Sequence, residues 1–172
     1  MVTESSKGVF YALDMGILVL PLTVVLAWVF AAFGLSAFGG DSSDQFAEQA
    51  MRWMLFLPAG LQFIVSGFMH TVFAKSTAEG IGWKTNGFQY ELGFASWGLG
   101  IGGILAASRG WDTWLIMTVV ASMFLVLAGV QHVVLMVRDK NFKPGNSLVL
   151  IYDFGLPASL IGLLIATHSS MA

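Results

Sequence analysis

Hydrophobic residues in this chain fall into five long segments, separated by short polar stretches. Each segment has roughly 18–25 residues, which at ~1.5 Å per residue is enough for a helix to cross ~30 Å of hydrocarbon. The pattern therefore predicts transmembrane helices at about residues 10–34, 53–74, 90–107, 113–137 and 147–167. We expect an all-α fold, a polytopic five-transmembrane-helix bundle that forms one domain over residues 1–172.

The composition supports a membrane protein and excludes several function classes. Of the 172 residues, 56% are hydrophobic and 10% are charged, whereas soluble domains carry about 25% charged residues. The absence of cysteine excludes disulfides, iron–sulfur clusters and thiolate metal sites. The net charge is −2 and there is no basic run, so we expect the lipid bilayer, and not nucleic acid, as a partner.

Lysine and arginine are distributed unequally between the two predicted sides of the membrane. The N-terminus and the loops at 75–89 and 138–146 share one side, which carries six of the eight basic residues. The positive-inside rule makes this side cytoplasmic. We therefore expect a multi-pass cell-membrane protein with its N-terminus inside and its C-terminus outside. Aromatic residues predict the outer interface at Trp53, Trp111 and Trp114 and the inner one at Tyr11, Tyr90 and Tyr152.

Each predicted helix carries an ionisable side chain within its apolar stretch. These residues are Asp14, His70, Glu91, His132 and Asp153. A charged group at the bilayer centre costs roughly 2.5–3.5 kcal/mol on insertion scales, and intramembrane ionisable residues commonly mark functional sites. Because odd helices run outward and even helices return, all five groups are expected at one depth near the cytoplasmic face.

Small residues beside the histidines predict close helix packing. Gly67 and Gly129 each precede a histidine by three residues, so the glycine and the imidazole share a helix face. The missing side chain lets another helix approach the backbone there. In the fourth helix, Thr118, Ser122, Gly129 and His132 form a stripe of polar and small residues.

The third helix is rich in glycine. Glu91, Ala95, Gly98 and Gly102 fall on one of its faces. Since small residues let helix backbones come close, we predict that this face turns inward and that the third helix is central to the bundle.

Three carboxylates that lie close together repel one another when all are ionised. Their negative charge must be balanced by metal ions, by protonated histidines or by protons on the carboxylates themselves. The first hypothesis is a site for a transition metal such as iron, zinc or manganese, acting on a small or lipid-soluble substrate. Its predicted ligands are His70, Glu91, His132, Asp153 and Asp14. Glu91 and Tyr11 are the predicted catalytic residues. Tyr11 lies three residues before Asp14 and shares its helix face, so it can form a hydrogen bond with that carboxylate.

Other functions are compatible with the same residues. Intramembrane Asp, Glu and His form proton relays, and Gln89, Gln131 and Ser66 extend such a network, so a proton-coupled transporter or channel is the second hypothesis. His70 and His132 can also ligate one b-type haem. The remaining hypothesis is a structural or accessory membrane subunit, in a homo-oligomer or a membrane complex.

The loops at 75–89 and 138–146 lie on the side of these ionisable groups. Each places a phenylalanine near asparagine and lysine, and each contains a turn, at Asn86-Gly87 and at Pro144-Gly145. Either they form a lid that controls water access, or they are interface loops anchored by Trp83, Phe88 and Phe142.

Two stretches resemble a known family pattern. Ile81-Gly82-Trp83, followed by Phe88-Gln89-x-Glu91-x-Gly93-x-Ala95, is similar to the signature of a family of small bacterial integral membrane proteins of unknown function. His70, His132, Asp153 and the stretch Asn141-Phe142-x-Pro144-Gly145-Asn146 fit the same pattern, over about residues 60–160. The resemblance implies a helical membrane protein and no particular activity.

Overall fold

The structure, a computed structural model, describes residues 17–171, and side chains up to residue 168. Within that range the chain is all-α and contains no strand, as predicted. The α-helices are α1 (Val19–Ala32), α2 (Phe46–Phe56), α3 (Gln62–Thr71), α4 (Ala74–Ile81), α5 (Gly87–Ala107), α6 (Trp111–Arg138), α7 (Pro144–Ser147) and α8 (Val149–Met171). A π-helical segment, Leu57–Leu61, joins α2 to α3.

Three helical stretches are long and apolar enough to cross a membrane: Phe46–Thr71, Trp111–Arg138 and Pro144–His168. Helix α1 is apolar but shorter, and α5 has 21 residues. These helices indicate a membrane protein. Short helices α4 and α7 occupy parts of the stretches that the sequence pattern presented as loops.

The first long stretch starts at Phe46, well before the apolar boundary near residue 53, because a capping box fixes its first turn. The Gln45 side chain accepts from the backbone N–H of Glu48, and the Glu48 carboxylate accepts from the N–H of Gln45 at 3.0 Å. The π-helical turn then follows at Pro58, whose carbonyl accepts a 2.7 Å hydrogen bond from the Tyr152 hydroxyl. Irregular backbone is tolerated here because a side chain satisfies that carbonyl.

Two aromatic residues predicted at the interfaces lie in the core instead. Tyr152 is 4% exposed and Trp114 is 1% exposed. Each ring has a backbone carbonyl within reach: Tyr152 bonds to Pro58, and the Trp114 indole donates to the carbonyl of Ala106 at 3.0 Å. A buried carbonyl partner removes the need for interfacial water, so both side chains pack inside the protein, and their depth in the membrane stays a prediction.

The central element is the stretch Phe46–Thr71, which contacts α1, α5 and α8. The prediction that the third helix is central was therefore wrong. The third predicted helix is α5, and its buried residues are Gln89, Gly93, Ser96, Gly100, Gly103, Ala106 and Ala107. The predicted face is turned outward, with Glu91, Ala95 and Gly98 exposed. Glycines occur on both faces of α5, so their spacing did not identify the inner one.

Backbone contact between α5 and the central stretch depends on particular glycines. A Cβ atom at Gly103 would overlap the carbonyl oxygen of Ala59 and come within 2.9 Å of the Gly60 nitrogen. One at Gly100 would lie 2.8 Å from the nitrogen of Ile64. The two helices therefore touch at van der Waals distance along this seam, which aligns the start of α5 with the end of α3.

We expect Gly103→Ala to lower the free energy of unfolding by about 1–3 kcal/mol, because the added methyl group forces the two backbones apart. Gly98→Ala is the matched control in the same helix, since a Cβ there meets nothing within 4 Å. It should raise stability by ~0.5–1 kcal/mol through helix propensity. Unfolding by SDS titration in detergent micelles measures both; equal effects would contradict the packing described.

Candidate functional site

His132 of α6 is held by the side chain of Asn146 in α7. The Asn146 amide nitrogen donates to the backbone carbonyls of His132, at 3.1 Å, and Asn141, at 2.9 Å. Its oxygen therefore faces the imidazole, 2.8 Å from Nδ1. Because that oxygen can only accept, Nδ1 carries a proton, and Nε2 is the basic nitrogen of the neutral ring. Asn146 is completely buried.

The basic nitrogen of His132 faces Asp153 of α8. Asp153 is 2% exposed, and its Oδ2 lies 4.0 Å from His132 Nε2. Among the residues that the structure describes, this oxygen has no hydrogen-bond partner. Gly129 makes the approach possible, because a Cβ there would lie 3.1 Å from the Cβ of Asp153 and 2.8 Å from the ring of Phe154. The close packing predicted at Gly129 is confirmed.

His70 stands near this pair on α3. Its Nδ1 is 2.7 Å from the amide nitrogen of Gln89, a buried residue in the first turn of α5. The two imidazoles are close enough to interact electrostatically. Gly67 again allows close packing, since any Cβ would collide with the indole of Trp97 in α5. We call His70, Gln89, His132, Asn146 and Asp153 the imidazole cluster.

Trp83 covers the imidazole cluster. Helix α4 ends at Gly82, whose φ of +89° suits the left-handed conformation of a C-terminal cap. The N–H of Trp83 then donates to the carbonyl of Ala78 at 2.7 Å, which turns the chain back over the helix end. The indole stacks on the ring of His132 with centroids 5.7 Å apart and planes at 19°.

The two connecting segments are bonded to one another beside the cluster. Asn141 donates to the carbonyl of Ile81 at 2.8 Å, and the Lys143 ammonium donates to the carbonyl of Glu79 at 2.8 Å. A Cβ at Gly145 would lie 2.7 Å from the carbonyl oxygen of Gly80. The segments therefore form one joined structure at this end of the bundle, which we call the loop end.

A cavity of about 830 Å³ opens between these segments. Its walls include Trp83, Gln131 and Phe142, and the Trp83 indole also stacks on the ring of His132. Asp139 also lines it, and both of its oxygens accept from Arg138, at 2.8 and 2.9 Å. These hydrogen bonds hold the pKa of Asp139 below its ordinary value.

A family model matches residues 18–172 and is described as a family of unknown function, DUF6790. The chain belongs to the DUF6790 family. No curated protein and no solved structure matches it. The expectation of a family of unknown function is confirmed over residues 18–172, the particular sequence signature stays a prediction, and membership brings no activity with it.

The DUF6790 fold brings only some of the predicted ligands together. His132 and Asp153 face one another, and His70 is nearby. Glu91 is exposed on the outer face of α5, while Asp14 and Tyr11 lie outside the described residues. Across the described part of the chain, no group of three or more His, Asp or Glu residues is arranged to hold one metal ion.

Two residues of the site were not predicted as such. Asn146 was assigned only to a family pattern at the turn, and Trp83 was treated as a possible interface anchor. The available signals were Pro144-Gly145 before an asparagine, which indicates a tight turn, and Gly82 before the tryptophan, which indicates a helix cap. Gln89, which was predicted to extend a polar network, contacts His70; its role in proton transfer stays a prediction.

The stripe predicted on α6 is also observed. Thr118, Ser122, Gly129 and His132 are all buried. The hydroxyl oxygens of Thr118 and Ser122 have no hydrogen-bond partner among the described residues. At ~1.5 Å per residue, the stripe carries polar groups roughly 20 Å along the helix, away from the loop end.

We expect Asn146→Leu to lower the free energy of unfolding by about 2–4 kcal/mol, because it leaves two carbonyls and the His132 ring nitrogen without partners. In ¹⁵N NMR of labelled histidine, His132 should also lose its fixed Nδ1–H tautomer. The control is Ser147→Ala in the same short helix, where the lost bond is solvent-exposed; it should cost less than ~0.5 kcal/mol. An unchanged tautomer in Asn146→Leu would contradict the assigned role.

Proposed function

We propose that this protein moves protons, or a solute together with protons, across the membrane, and that His132 and Asp153 form its proton-binding site. One observation carries the proposal. A carboxylate oxygen that is almost fully buried and has no partner among the described residues faces the basic nitrogen of an oriented imidazole. Intramembrane Asp and His residues commonly form proton relays.

The separation of the two atoms favours proton exchange through water. A direct hydrogen bond has a donor–acceptor distance of ~2.7–3.2 Å, so 4.0 Å is too long for one. A water molecule that bonds to both atoms fits this distance. An excess proton on the pair neutralises the buried carboxylate, whose isolated charge is costly in an apolar interior.

The surroundings supply routes on both sides of the pair. Towards the loop end, the indole of Trp83 both stacks on His132 and lines the cavity. In the other direction, the hydroxyls of Ser122 and Thr118 offer buried hydrogen-bonding positions on the same face of α6. No ionisable partner is needed along this second part of the path if water molecules bridge the hydroxyls.

We infer five membrane crossings, with the loop end in the cytoplasm. Helix α5 has 21 residues, about 31 Å at ~1.5 Å per residue. Helix α1 continues the apolar pattern that begins near residue 10. Most basic residues lie on the side of the loop end.

The absence of native cysteine allows single cysteines to test this topology. An impermeant maleimide added to intact cells should label Ser43→Cys and should not label Thr85→Cys. Both residues are exposed in the structure. Inverted membrane vesicles should give the opposite result, and labelling of both variants from one side would contradict the five-crossing arrangement.

Proteoliposomes with an imposed pH gradient test the proton site. We expect proton flux by the wild type and only background flux by Asp153→Asn and His132→Gln, because each variant removes one proton-accepting group of the pair. Asp112→Asn is the matched control, since it neutralises an exposed carboxylate in the first turn of α6, at the opposite end. A fluorescent pH indicator inside the vesicles measures the rate.

The outcomes separate this proposal from the others. Flux that survives Asp153→Asn but disappears in Glu91→Gln would move the path to the outer face of α5. Wild-type protein without flux would favour an accessory subunit. Folding of each variant is checked by its elution profile and its helical circular dichroism.

A metal site is the second candidate, favoured by the way Asn146 orients His132. Metal-binding histidines usually hold their other ring nitrogen in such a hydrogen bond. His132 and Asp153 would be the first ligands, with His70 and Asp14 as further donors for iron, zinc or manganese. However, two donors on a tetrahedral metal lie roughly 3.4 Å apart, closer than this pair. Elemental analysis and an absorption spectrum of the same purified samples decide between proton, metal and haem sites.

A further inference from the structure

The cavity at the loop end has the size of a small-molecule site. Its volume of about 830 Å³ lies within the ~300–1,000 Å³ typical of ligand pockets. It is formed by the chain between α4 and α5 and by the chain between α6 and α7. The bonds from Asn141 to Ile81 and from Lys143 to Glu79 hold these two walls together, so the cavity is a built feature of the fold.

The charges around the cavity favour an anion. Three lysines line it: Lys84, Lys140 and Lys143. Two acids, Glu79 and Asp139, line it as well, but the carboxylate of Asp139 is already engaged by both hydrogen bonds from Arg138. The positive charge of the lysines is therefore only partly balanced within the cavity.

The backbone at one of these lysines has an unusual conformation. Lys140 has φ of +54°, and it is the only residue other than glycine with a positive φ in the described chain. Such conformations are costly for residues with a Cβ and cluster at functional sites. Here the turn carries a lysine, where asparagine or glycine would adopt the same conformation at a lower cost.

Aromatic rings and amides complete the lining. Trp83 and Phe142 provide flat apolar surface, and the side chains of Asn86, Gln131 and Asn141 provide neutral hydrogen-bonding groups. This combination suits a ligand with one charged end and an organic body. The lining is mostly polar and charged, and Trp83, Phe142 and Leu135 are its large apolar residues.

We propose that this cavity binds a small organic anion, whose carboxylate or phosphate group is held by Lys84 and Lys140 and whose body rests on Trp83. Lys143, already bonded to the carbonyl of Glu79, contributes its remaining N–H donors. If the proposed proton function holds, this anion is the solute that moves with the proton, because Trp83 contacts both the cavity and His132. The coupling of this anion to proton movement rests on the proposed function, whereas the binding site itself does not.

Binding is measured without any proton gradient, so its failure is distinguishable from failure of proton flux. Protein in phosphatidylcholine nanodiscs is titrated with citrate and with inorganic phosphate by isothermal calorimetry. We expect citrate to bind, and Lys84→Gln and Lys140→Gln each to weaken binding at least about tenfold, because each removes a charged hydrogen-bond donor. The control is Lys75→Gln, an exposed lysine at the start of α4 that is not among the residues lining the cavity.

A second arm distinguishes a soluble anion from a lipid headgroup. Native mass spectrometry of protein from phosphatidylglycerol nanodiscs detects retained lipid. Retention that is lost in Lys84→Gln and Lys140→Gln, and not in Lys75→Gln, supports the anion site with a lipid as its source. The proposal would be overturned if neither citrate nor phosphate bound and no lipid were retained. An equal loss of binding in all three lysine variants would also overturn it.

Discussion

The side-chain amide of Asn146 is the contact on which the candidate site depends. Its nitrogen donates to two backbone carbonyls and its oxygen accepts from His132, so one buried group uses both of its ends. This arrangement fixes the imidazole tautomer, directs Nε2 towards Asp153 and ties the segment after α6 to α6 itself. An unpaired amide in an apolar interior is costly, so the loss of one of these three hydrogen bonds would weaken the other two. The geometry of the loop end is therefore coupled to that of the imidazole cluster.

Among the described residues, the hydrogen bonds are complete around the imidazole, whereas one oxygen of the Asp153 carboxylate has no partner. A partly satisfied buried network is less stable than an apolar core of the same shape, so packing alone does not explain Asp153. The hydroxyls of Ser122 and Thr118, which have no hydrogen-bond partner in residues 17–168, lie on the same helix face as His132. The stripe therefore contrasts with Asn146, whose amide has all of its hydrogen bonds within the described residues.

The helical class followed from the sequence, because long apolar stretches predict helices. The sequence placed His132 and Asp153 in a predicted group of five ionisable residues and did not single out this pair. The outward position of Glu91 did not follow, since α5 has glycines on both faces and the choice depends on the backbone contact of Gly103 with the central stretch. The hydrogen bond of Asn146 to His132 was also not predicted. It joins residues 14 positions apart, and it depends on the path that the chain takes through the turn between them.

Trp83 connects these features. Its place over His132 is set by the cap at Gly82 and by the bonds between the two connecting segments, whereas the helix core is held by backbone contact and apolar burial. Contacts between surface segments open at a lower free energy than a packed core. A displacement of this indole would therefore expose the imidazole to the cavity without disturbing the helices, and a ligand resting on the indole would hold it in place. The fold thus places the proposed proton site among packed helices, whereas the indole that stacks on His132 belongs to the connecting segments.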